Sequence, residues 1–478
     1  MNRRHRQQAA CSVLLLSALA LAAGAPAAHA DAGGTATAVL LGPPVTVGTA
    51  GNEPIVKVAP DGTVYVAALQ HLYVSTDHGV SFTQPSPSFY NGQGNLVSDS
   101  SIDVDPAGRL YLAVNYPYAG TVAVCTSDDR AATTSCDPAT VPGGNDRQWL
   151  TAPTTTASYL TTNVGLYQTI FLSSHDRGAT YTQNAATTSS VANPNDGPPL
   201  RRSQDGLVYQ PFVNASSNQS ALDNELSGPI QVHVWDPTTS PTAVTPKAEL
   251  STPLQAGAAI NDLVATPDGT LYLASEGVSG TDSSGNPTGK DVRIARSTDA
   301  GQTWTVLPAL PGTSTGTSAF AWIAAGKDGH LGVVYYRTDS GGRADTATGS
   351  WDTYWAETTD ATSATPGWQT QLVESGVHTG HLCTTAGCMN SDRFAGDFLG
   401  AAFDSADRPY VSWMRQKADG TTEIRFAGPA TGATGTPAAA LPEAGHVAAL
   451  PVVGLLGTGI WLGARRRRST TVRRRAAG

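Results

Sequence analysis

Short stretches in which apolar and polar residues alternate dominate the chain between residues 40 and 428. Clear examples are Ile55 to Val58, Leu72 to Val74, Thr169 to Leu172 and Val292 to Ala295. Alternation with a period of two is typical of β-strands that turn one face to a core. This part of the chain contains no long amphipathic helical pattern. The pattern therefore predicts an all-β protein.

A turn containing Asp and Gly, followed by a strand containing Tyr, recurs along the chain. It reads PDGTVYVA at residues 60–67 and PDGTLYLA at residues 267–274. Five weaker copies place the residue equivalent to Tyr65 and Tyr272 at positions 111, 159, 209, 332 and 410. Repeats of this length are typical of β-propellers, in which each repeat forms one small sheet. We predict one propeller over residues 38–428 with six or seven blades, and the number of copies favours seven.

A second repeated unit, Ser-x-Asp-x-Gly-x-x-aromatic, follows three of these strands. Its copies run from Ser75 to Phe82, from Ser174 to Tyr181 and from Ser297 to Trp304. In such a unit Asp accepts backbone N–H bonds within a turn, Gly adopts a conformation that other residues avoid, and the aromatic ring packs back on the sheet. The unit is identified as an Asp-box, or bacterial neuraminidase repeat. This resemblance implies a β-propeller of the sialidase superfamily, in which the box is structural and lies at the edge of a blade.

Charge is distributed unevenly along the chain. Three Arg lie within the first six residues and seven within the last fourteen, which leaves residues 31–440 with a formal charge of −18. A nucleic acid requires a basic face for its phosphates, so we exclude nucleic acid as a partner. An acidic body is compatible with cation binding and with an exported, soluble surface.

The first 30 residues predict export. They combine three Arg, an apolar stretch from Ser12 to Ala23, and small residues at Ala28 and Ala30 before the predicted cleavage site. This order is typical of a secretory signal peptide.

The C-terminal residues predict a surface anchor. A Pro/Gly/Ala-rich linker at 429–446 contains LPEAG, an apolar run at 447–464 is long enough to cross a membrane, and a basic tail at 465–478 should stay cytoplasmic. The order resembles a Gram-positive sortase sorting signal, although Ala444 stands where that family has Thr. The resemblance implies a sortase as partner. With or without cleavage, the body is expected at the cell surface, attached to membrane or cell wall.

Four cysteines remain after removal of the signal peptide, in two close pairs. An even number of cysteines in an exported chain favours disulfides. The predicted pairs are Cys125–Cys136 and Cys383–Cys388. His378 and His381 precede the second pair, so a Cys₂His₂ zinc site is the alternative there.

The resemblance to sialidases implies a definite set of catalytic groups. A sialidase holds the substrate carboxylate with three Arg and uses a Tyr nucleophile, a Glu that activates it and an Asp acid/base. The first of those Arg belongs to an Arg-Ile-Pro motif near the start of the first blade. This chain has Glu53-Pro54-Ile55 there, and its first Arg after the signal peptide is Arg109. The chain therefore departs from the sialidases at a diagnostic position.

Two segments combine Arg, Asp and aromatic residues and resemble segments of secreted sialidase-like proteins. They read NDRQWL from residue 145 and DRFAGDF from residue 392. In a functional site, Arg147 and Arg393 would hold an anionic group of the substrate. Asp146 and Asp397 would serve as catalytic carboxylates, and Trp149 would be a platform for a sugar ring. The alternative is that Arg–Asp pairs lock adjacent blades together.

Tyr354 and Glu357 are candidates for the nucleophile and its activating base. The alternative is an ordinary blade strand, because Trp351, Thr353 and Trp355 alternate around them.

Calcium is the one cofactor that the sequence suggests. Asp99, Asp103 and Asp105 are closely spaced, and residues 282–291 are rich in oxygen ligands. Neither segment matches a twelve-residue calcium loop.

The sequence thus predicts a surface-anchored, sialidase-like propeller that acts on or binds an extracellular glycan or glycoprotein. The leading hypothesis is an exo-acting glycoside hydrolase of the exo-α-sialidase/neuraminidase superfamily. The alternative is a non-catalytic propeller that binds carbohydrate or protein. Convergence of Arg147, Arg393 and Asp397 at one mouth of the propeller would favour a site, and their dispersal to blade edges would exclude it.

Overall fold

The structure is a computed structural model. It describes residues 40–85, 99–116, 121–142, 144–165, 168–188, 195–213, 229–238, 246–255, 257, 260–284, 287–384 and 393–430. All of them belong to the first of two units of the chain, Met1–Ala439. The predicted signal peptide, the LPEAG motif, the apolar run and the basic tail lie outside the described residues. Within the described ranges, no helix is both long and apolar enough to span a bilayer.

The described residues confirm the all-β prediction, since they form strands and one short 3-10 turn at Ala344–Thr346. The first strands along the chain are β1 (Val45–Gly48), β2 (Pro54–Val58), β3 (Val64–Ala68), β4 (His71–Ser75), β5 (Ser100–Val104), β6 (Leu110–Tyr116), β7 (Thr121–Ser127), β8 (Ser135–Pro142), β9 (Gly144–Thr151), β10 (Ser158–Val164), β11 (Gln168–Ser174), β12 (Thr182–Thr188), β13 (Asn195–Asp196), β14 (Leu200–Arg201), β15 (Val208–Val213), β16 (Pro229–Trp235) and β17 (Ala248–Gln255). The remaining strands are β18 (Asp262–Ala265), β19 (Leu271–Thr281), β20 (Pro287–Ser297), β21 (Thr305–Val306), β22 (Thr317–Ala325), β23 (Leu331–Thr338), β24 (Ser350–Thr358), β25 (Gln369–Thr379), β26 (Gly400–Phe403), β27 (Pro409–Gln416) and β28 (Thr422–Ala427).

Seven antiparallel sets of strands follow one another along the described chain. They are β2–β4, β5–β8, β9–β12, β13–β17, β18–β21, β22–β25 and β26–β28. The fifth and sixth sets share one sheet through a single parallel pair, Lys290 with Thr317. Strand β1 completes the seventh set by pairing with β28, where Val45 lies opposite Phe426. The start and the end of the body therefore meet in one sheet.

The first strand of each set lies at the centre of the molecule. A channel of about 360 Å³ is lined by β2, β5, β9, β18, β22 and β26, and by residues 198–200 beside β14. Strand β2 contacts both β5 and β26, which closes the series into a ring. Between the third and fourth sets, Trp149 Nε1 donates to the carbonyl oxygen of Asp196 at 2.7 Å. The arrangement is that of a β-propeller with a central channel.

The repeated Asp and Tyr of the first unit hold each turn against the core. Three Tyr hydroxyls donate to the carboxylate of the turn that precedes them: Tyr111 to Asp105, Tyr209 to Asp205, and Tyr410 to Asp404. All three rings are buried. These three repeats thereby satisfy their buried phenol and fix the turn between their first two strands, whereas the buried Tyr272 hydroxyl has no such partner among the described residues.

The second repeated unit forms the same turn each time. Ser297 Oγ donates to Asp299 and accepts the Gly301 N–H, both at 2.8 Å. Asp299 accepts the N–H and the hydroxyl of Thr303 at 2.8 and 2.6 Å. Gly301 has a φ of +82°, which favours glycine. The other two copies repeat these bonds.

A fourth copy of this turn has no recognisable motif in the sequence. Ser127 Oγ accepts the Ala131 N–H at 2.9 Å, and Asp129 accepts the N–H and hydroxyl of Thr133. Ala131 takes the position of the glycine, with a φ of +63°. No aromatic residue ends this copy, and the disulfide between Cys125 and Cys136 joins β7 to β8 instead. This disulfide confirms the first predicted pair.

The second cysteine pair is described only in part. Cys383 is disulfide-bonded, while its predicted partner Cys388 lies outside the described residues. Both ring nitrogens of His378 are hydrogen-bonded, to Gln416 and to the carbonyl oxygen of His381. Over the described ranges, no three His, Cys, Asp or Glu side chains are arranged to hold a metal ion.

Candidate functional site

Charged side chains converge where the central strands begin. Glu53 immediately precedes β2, Asp99 precedes β5, Asp146 and Arg147 lie in β9, and Asp397 lies shortly before β26. The first strands of a propeller all run from the same mouth of the channel, so their starting points are neighbours. These residues come from four different sets and form one group, which we call the mouth cluster.

Arg147 lies at the centre of the mouth cluster. Its Nη1 donates to Asp397 Oδ2 at 2.9 Å, and its Nε lies 3.8 Å from Asp146 Oδ2. Burial alone would lower the pKa of Arg147, but Asp397, Asp146 and Glu53 raise it above its usual range, so the guanidinium stays charged. Its side chain is 11% exposed. Because Arg147 belongs to the third set and Asp397 to the seventh, this ion pair spans the mouth and does not join adjacent sets.

Asp397 binds a second guanidinium, that of Arg393. Arg393 Nη2 donates to Asp397 Oδ1, while Arg147 occupies the other carboxylate oxygen. The Asp397 side chain is 8% exposed and that of Arg393 is 40% exposed. Both Arg predicted to bind substrate therefore already bind a carboxylate of the protein.

Asp99 and Asp146 form a carboxyl pair beside this ion pair. Burial, the charge of Asp146 and a hydrogen bond to Asp146 together raise the pKa of Asp99 to about 7, although the charge of Arg147 opposes them. Asp146 is the more accessible member, with 30% of its side chain exposed. Asp99 therefore keeps a proton below about pH 7 and shares a hydrogen bond with Asp146, which faces solvent.

Glu53 is a further buried carboxyl group of the mouth cluster. Burial raises its pKa well above the usual range, and the charges of Asp397 and Asp99 add to this effect. Its side chain packs against Gly396, where a Cβ atom would lie 2.1 Å from Glu53 Cγ. Gly396 is thus required both by this contact and by its φ of +70°.

The backbone is strained at three of the central strands. Glu53, Arg147 and Phe320 have φ values of +56°, +54° and +56°. Each such residue costs roughly 1–3 kcal/mol and persists only where the surrounding structure imposes it. Strain of this kind concentrates at functional sites, and two of the three residues belong to the mouth cluster.

Trp149 is not an open platform for a sugar. It is 4% exposed and packs against Phe398 and Trp322, with ring centroids 5.0 and 6.2 Å away. Its Nε1–H is bound to the fourth set, as described above. Trp149 therefore belongs to the aromatic core next to the mouth cluster.

The structure does not bring Tyr354 and Glu357 together. Both lie on β24, where residues three apart point to opposite faces of the sheet. Tyr354 stacks on Tyr335, whereas Glu357 accepts a hydrogen bond from Trp355 Nε1 and bonds to His330. They serve as strand residues outside the mouth cluster, as the alternation of the sequence around them indicates.

The three aspartates suggested for calcium have separate partners. Asp99 pairs with Asp146, Asp103 lies 3.2 Å from Lys57 Nζ, and Asp105 accepts N–H groups of its own turn. They do not form a common set of ligands.

Three carboxyl groups near the mouth carry no catalytic signal in the sequence: Glu53, Asp99 and Asp196. Asp196 is fully buried below Arg147, accepts the Thr169 hydroxyl at 2.5 Å, and has a pKa raised to about 7 by burial. All three stand a few residues before the repeated Asp turn of their set. An Asp or Glu at this distance before the repeated Asp turn is the sequence signal that could have identified the three residues.

We expect the protein to be more stable at pH 5 than at pH 8. Burial raises the pKa of Asp99, Asp196 and Asp262 to about 7, from an ordinary value of 3.8. Between about pH 4 and 7 the folded chain therefore binds more protons than the unfolded chain, and its stability falls as the pH rises through that range. Acids with a lowered pKa, such as Asp77 and Asp176, are ionised in both states above pH 5.

Melting temperatures measured at pH 5, 6, 7 and 8 test this expectation. Asp262→Asn, which removes one of the buried acids from the channel wall, should flatten the dependence. A melting temperature that rises steadily from pH 5 to pH 8 would contradict it.

Neither a protein-family model nor a curated protein matches the chain. Several solved structures resemble it. A protein of unknown function from Dyadobacter fermentans is 13% identical, with a TM-score of 0.44 over 82% of this chain and 98% of that one. The α-L-arabinofuranosidase Arb93A of Fusarium graminearum is 11% identical, with a TM-score of 0.43 over 70% and 92%. The NanB sialidase of Streptococcus pneumoniae is 10% identical, with a TM-score of 0.39 over 83% and 70%. The function is therefore argued from the site itself.

Proposed function

We propose that the chain is a glycoside hydrolase that acts on a neutral extracellular glycan at the mouth of a seven-bladed Asp-box propeller. Hydrolysis of a glycosidic bond requires two carboxyl groups that flank the bond. One donates a proton to the leaving oxygen, and the other acts as a carboxylate on the opposite side. The observation that carries the proposal is the carboxyl pair Asp99–Asp146. In this pair the pKa of Asp99 is raised to about 7, Asp146 opens to solvent, and Asp397 lies in the same cluster.

The mouth cluster supplies each group that the reaction needs. Asp146 delivers the shared proton to the leaving oxygen, and Asp99 is the buried reservoir of that proton. Two guanidinium groups orient Asp397, which accepts a proton from the attacking water and stabilises positive charge at the anomeric carbon. Arg147 and Arg393 are positioning residues in this mechanism.

The charge of the mouth favours a neutral sugar over a sialoside. Both guanidinium groups are bound to Asp397, and Glu53, Asp99 and Asp146 surround them. An anionic sugar would have to displace Asp397 and would face the remaining carboxyl groups. We therefore do not assign to Arg147 and Arg393 the expected role of holding an anionic group of the substrate.

The strand sets and turns support the assignment to Asp-box propellers. Seven sets surround the channel, and four turns share the Ser–Asp hydrogen-bond pattern. Export and anchoring rest on the sequences of residues 1–30 and 441–468. A signal peptide and a C-terminal anchor would together display the propeller outside the cell.

A panel of fluorogenic glycosides tests the function. The purified protein is incubated with arabinofuranosides, glucosides, galactosides and an α-sialoside, and the released fluorophore is measured. We expect release from at least one neutral glycoside and none from the sialoside. Release from the sialoside alone would overturn the neutral-substrate proposal in favour of a sialidase.

A non-catalytic glycan-binding propeller is the second candidate. The observation that favours it is the ion pair from Arg147 to Asp397, which occupies the mouth and satisfies both groups. Folded protein that binds a glycan saturably but hydrolyses no member of the panel would establish this candidate instead.

A further inference from the structure

Turns on the face opposite the mouth tie neighbouring sets together. Six of the seven junctions have such a tie within the described residues: Arg130 to Asp61, Arg177 to Asp128, Arg202 to the Gly269 carbonyl, Arg296 to the Ala361 carbonyl, Lys327 N–H to Asp407, and the ring contact of Phe82 with Phe426. In four of these junctions an Arg of one set binds an oxygen of the next.

On this face and among the described residues, the seventh junction, between the third and fourth sets, is bridged by weaker contacts: Arg201 bonds to the Tyr159 hydroxyl, and Asn184 Nδ2 donates to the Pro237 carbonyl oxygen at 3.4 Å. A cleft of about 520 Å³ lies there, between the turns at Thr154 and His175 of the third set and those at Asp205 and Asp236 of the fourth. Pockets that hold small molecules span about 300–1,000 Å³. The cleft lies on the face opposite the mouth and shares no residue with the mouth cluster.

Arg201 enters this cleft without a carboxylate partner among the described residues. It hydrogen-bonds to the Tyr159 hydroxyl at the base of the cleft, and its Nε is buried with no acceptor. The neighbouring Asp205, which also lines the cleft, is bound by Arg202 at 2.7 Å. Lys247 stands at the rim, 3.6 Å from Asp236 and 52% exposed. Asp205 and Asp236 thus each have a basic partner, Arg202 and Lys247, while the charge of Arg201 has no carboxylate partner among the described residues.

We propose that this cleft binds a small oxyanion, the carboxylate or sulfate group of an acidic sugar being the chemistry that fits it. A guanidinium binds a planar or tetrahedral oxyanion through two parallel hydrogen bonds. The bound group would be a second acceptor for Arg201, beside the Tyr159 hydroxyl. Because this cleft is separate from the mouth cluster, binding here does not depend on the proposed hydrolysis.

Calorimetric titration of the purified protein tests the site in a buffer free of phosphate and sulfate. The probes are sodium sulfate, glucuronate and glucose. We expect one saturable site for sulfate and for glucuronate, and none for glucose. A tighter Kd for glucuronate would identify an acidic sugar, and equal values would identify a free oxyanion. No saturable binding of either anion would overturn the proposal.

Variants distinguish anion binding in this cleft from non-specific anion binding elsewhere on the protein. Arg201→Gln should weaken binding at least about tenfold, and Lys247→Gln severalfold. Arg130→Gln is the matched control on the same face and should leave Kd unchanged. If Arg201→Gln fails to fold, Arg201→Lys keeps the charge without the planar fork and should still weaken binding. Equal affinity in the parent and in the folded Arg201 variants would also overturn the proposal.

Discussion

Asp146→Asn is expected to lower kcat for glycoside hydrolysis by about 10³-fold, the size of a lost general acid. The substitution keeps the shape of the side chain and removes only its capacity to deliver a proton. Since Asp146 is partly exposed at the rim of the mouth cluster, the free energy of unfolding should change little. The measurement is initial rate on the neutral glycoside that the parent cleaves best, with thermal unfolding recorded in parallel.

Two comparisons make this result specific. Asp128→Asn alters an exposed aspartate that also accepts hydrogen bonds from two Arg, and it should leave the rate unchanged. The parent should lose activity as the pH rises through about 7, where Asp99 gives up its proton. An Asp146→Asn variant that retains a tenth or more of the parent rate would remove Asp146 from the mechanism.

Arg147→Met is expected to destabilise the folded protein by about 3–5 kcal/mol, the usual effect of removing one partner from a buried ion pair. The variant would leave Asp397, Asp146 and Glu53 close together, with Arg393 as the remaining cation nearby. Urea denaturation at pH 7 measures the loss. It should be smaller at pH 5, below the pKa of about 7 of the neighbouring Asp99, because protonation of Asp99 relieves part of the repulsion.

Arg177→Met is the matched control for Arg147→Met. Arg177 also pairs with an aspartate, but both side chains are about half exposed, so its loss should cost less than about 1 kcal/mol. If the two variants are equally stable, Arg147 does not hold the mouth cluster together.

The fold could be predicted because its signals are local. Each repeated Asp lies within a few residues of the groups it binds, so a short motif specifies a complete turn, as at Ser297 to Thr303. The copy at Ser127 shows the limit of this rule. Ala131 adopts the glycine conformation, and the disulfide takes the place of the aromatic, so the turn remains while its motif is lost.

The mouth cluster was only partly predictable because its contacts are long-range. Arg147, Arg393 and Asp397 stand in polar segments that attract notice, and the structure brings them into contact. Glu53 and Asp99 stand in short segments that resemble ordinary turns, and their raised pKa values arise only when distant strands bury them. For Trp149, the sequence does not distinguish an exposed platform for a sugar ring from a buried core residue.

The pairing of β1 with β28 has a consequence for how the chain reaches its native state. The two strands are separated by nearly the whole body, so the ring closes only after the last set has been made. Contacts this distant in sequence slow folding, because the entropy of closing the loop is lost before the contacts form. A nascent chain still lacking β28 is therefore an open arc with an unpaired edge, and an exported body would complete itself only after its last strand had crossed the membrane.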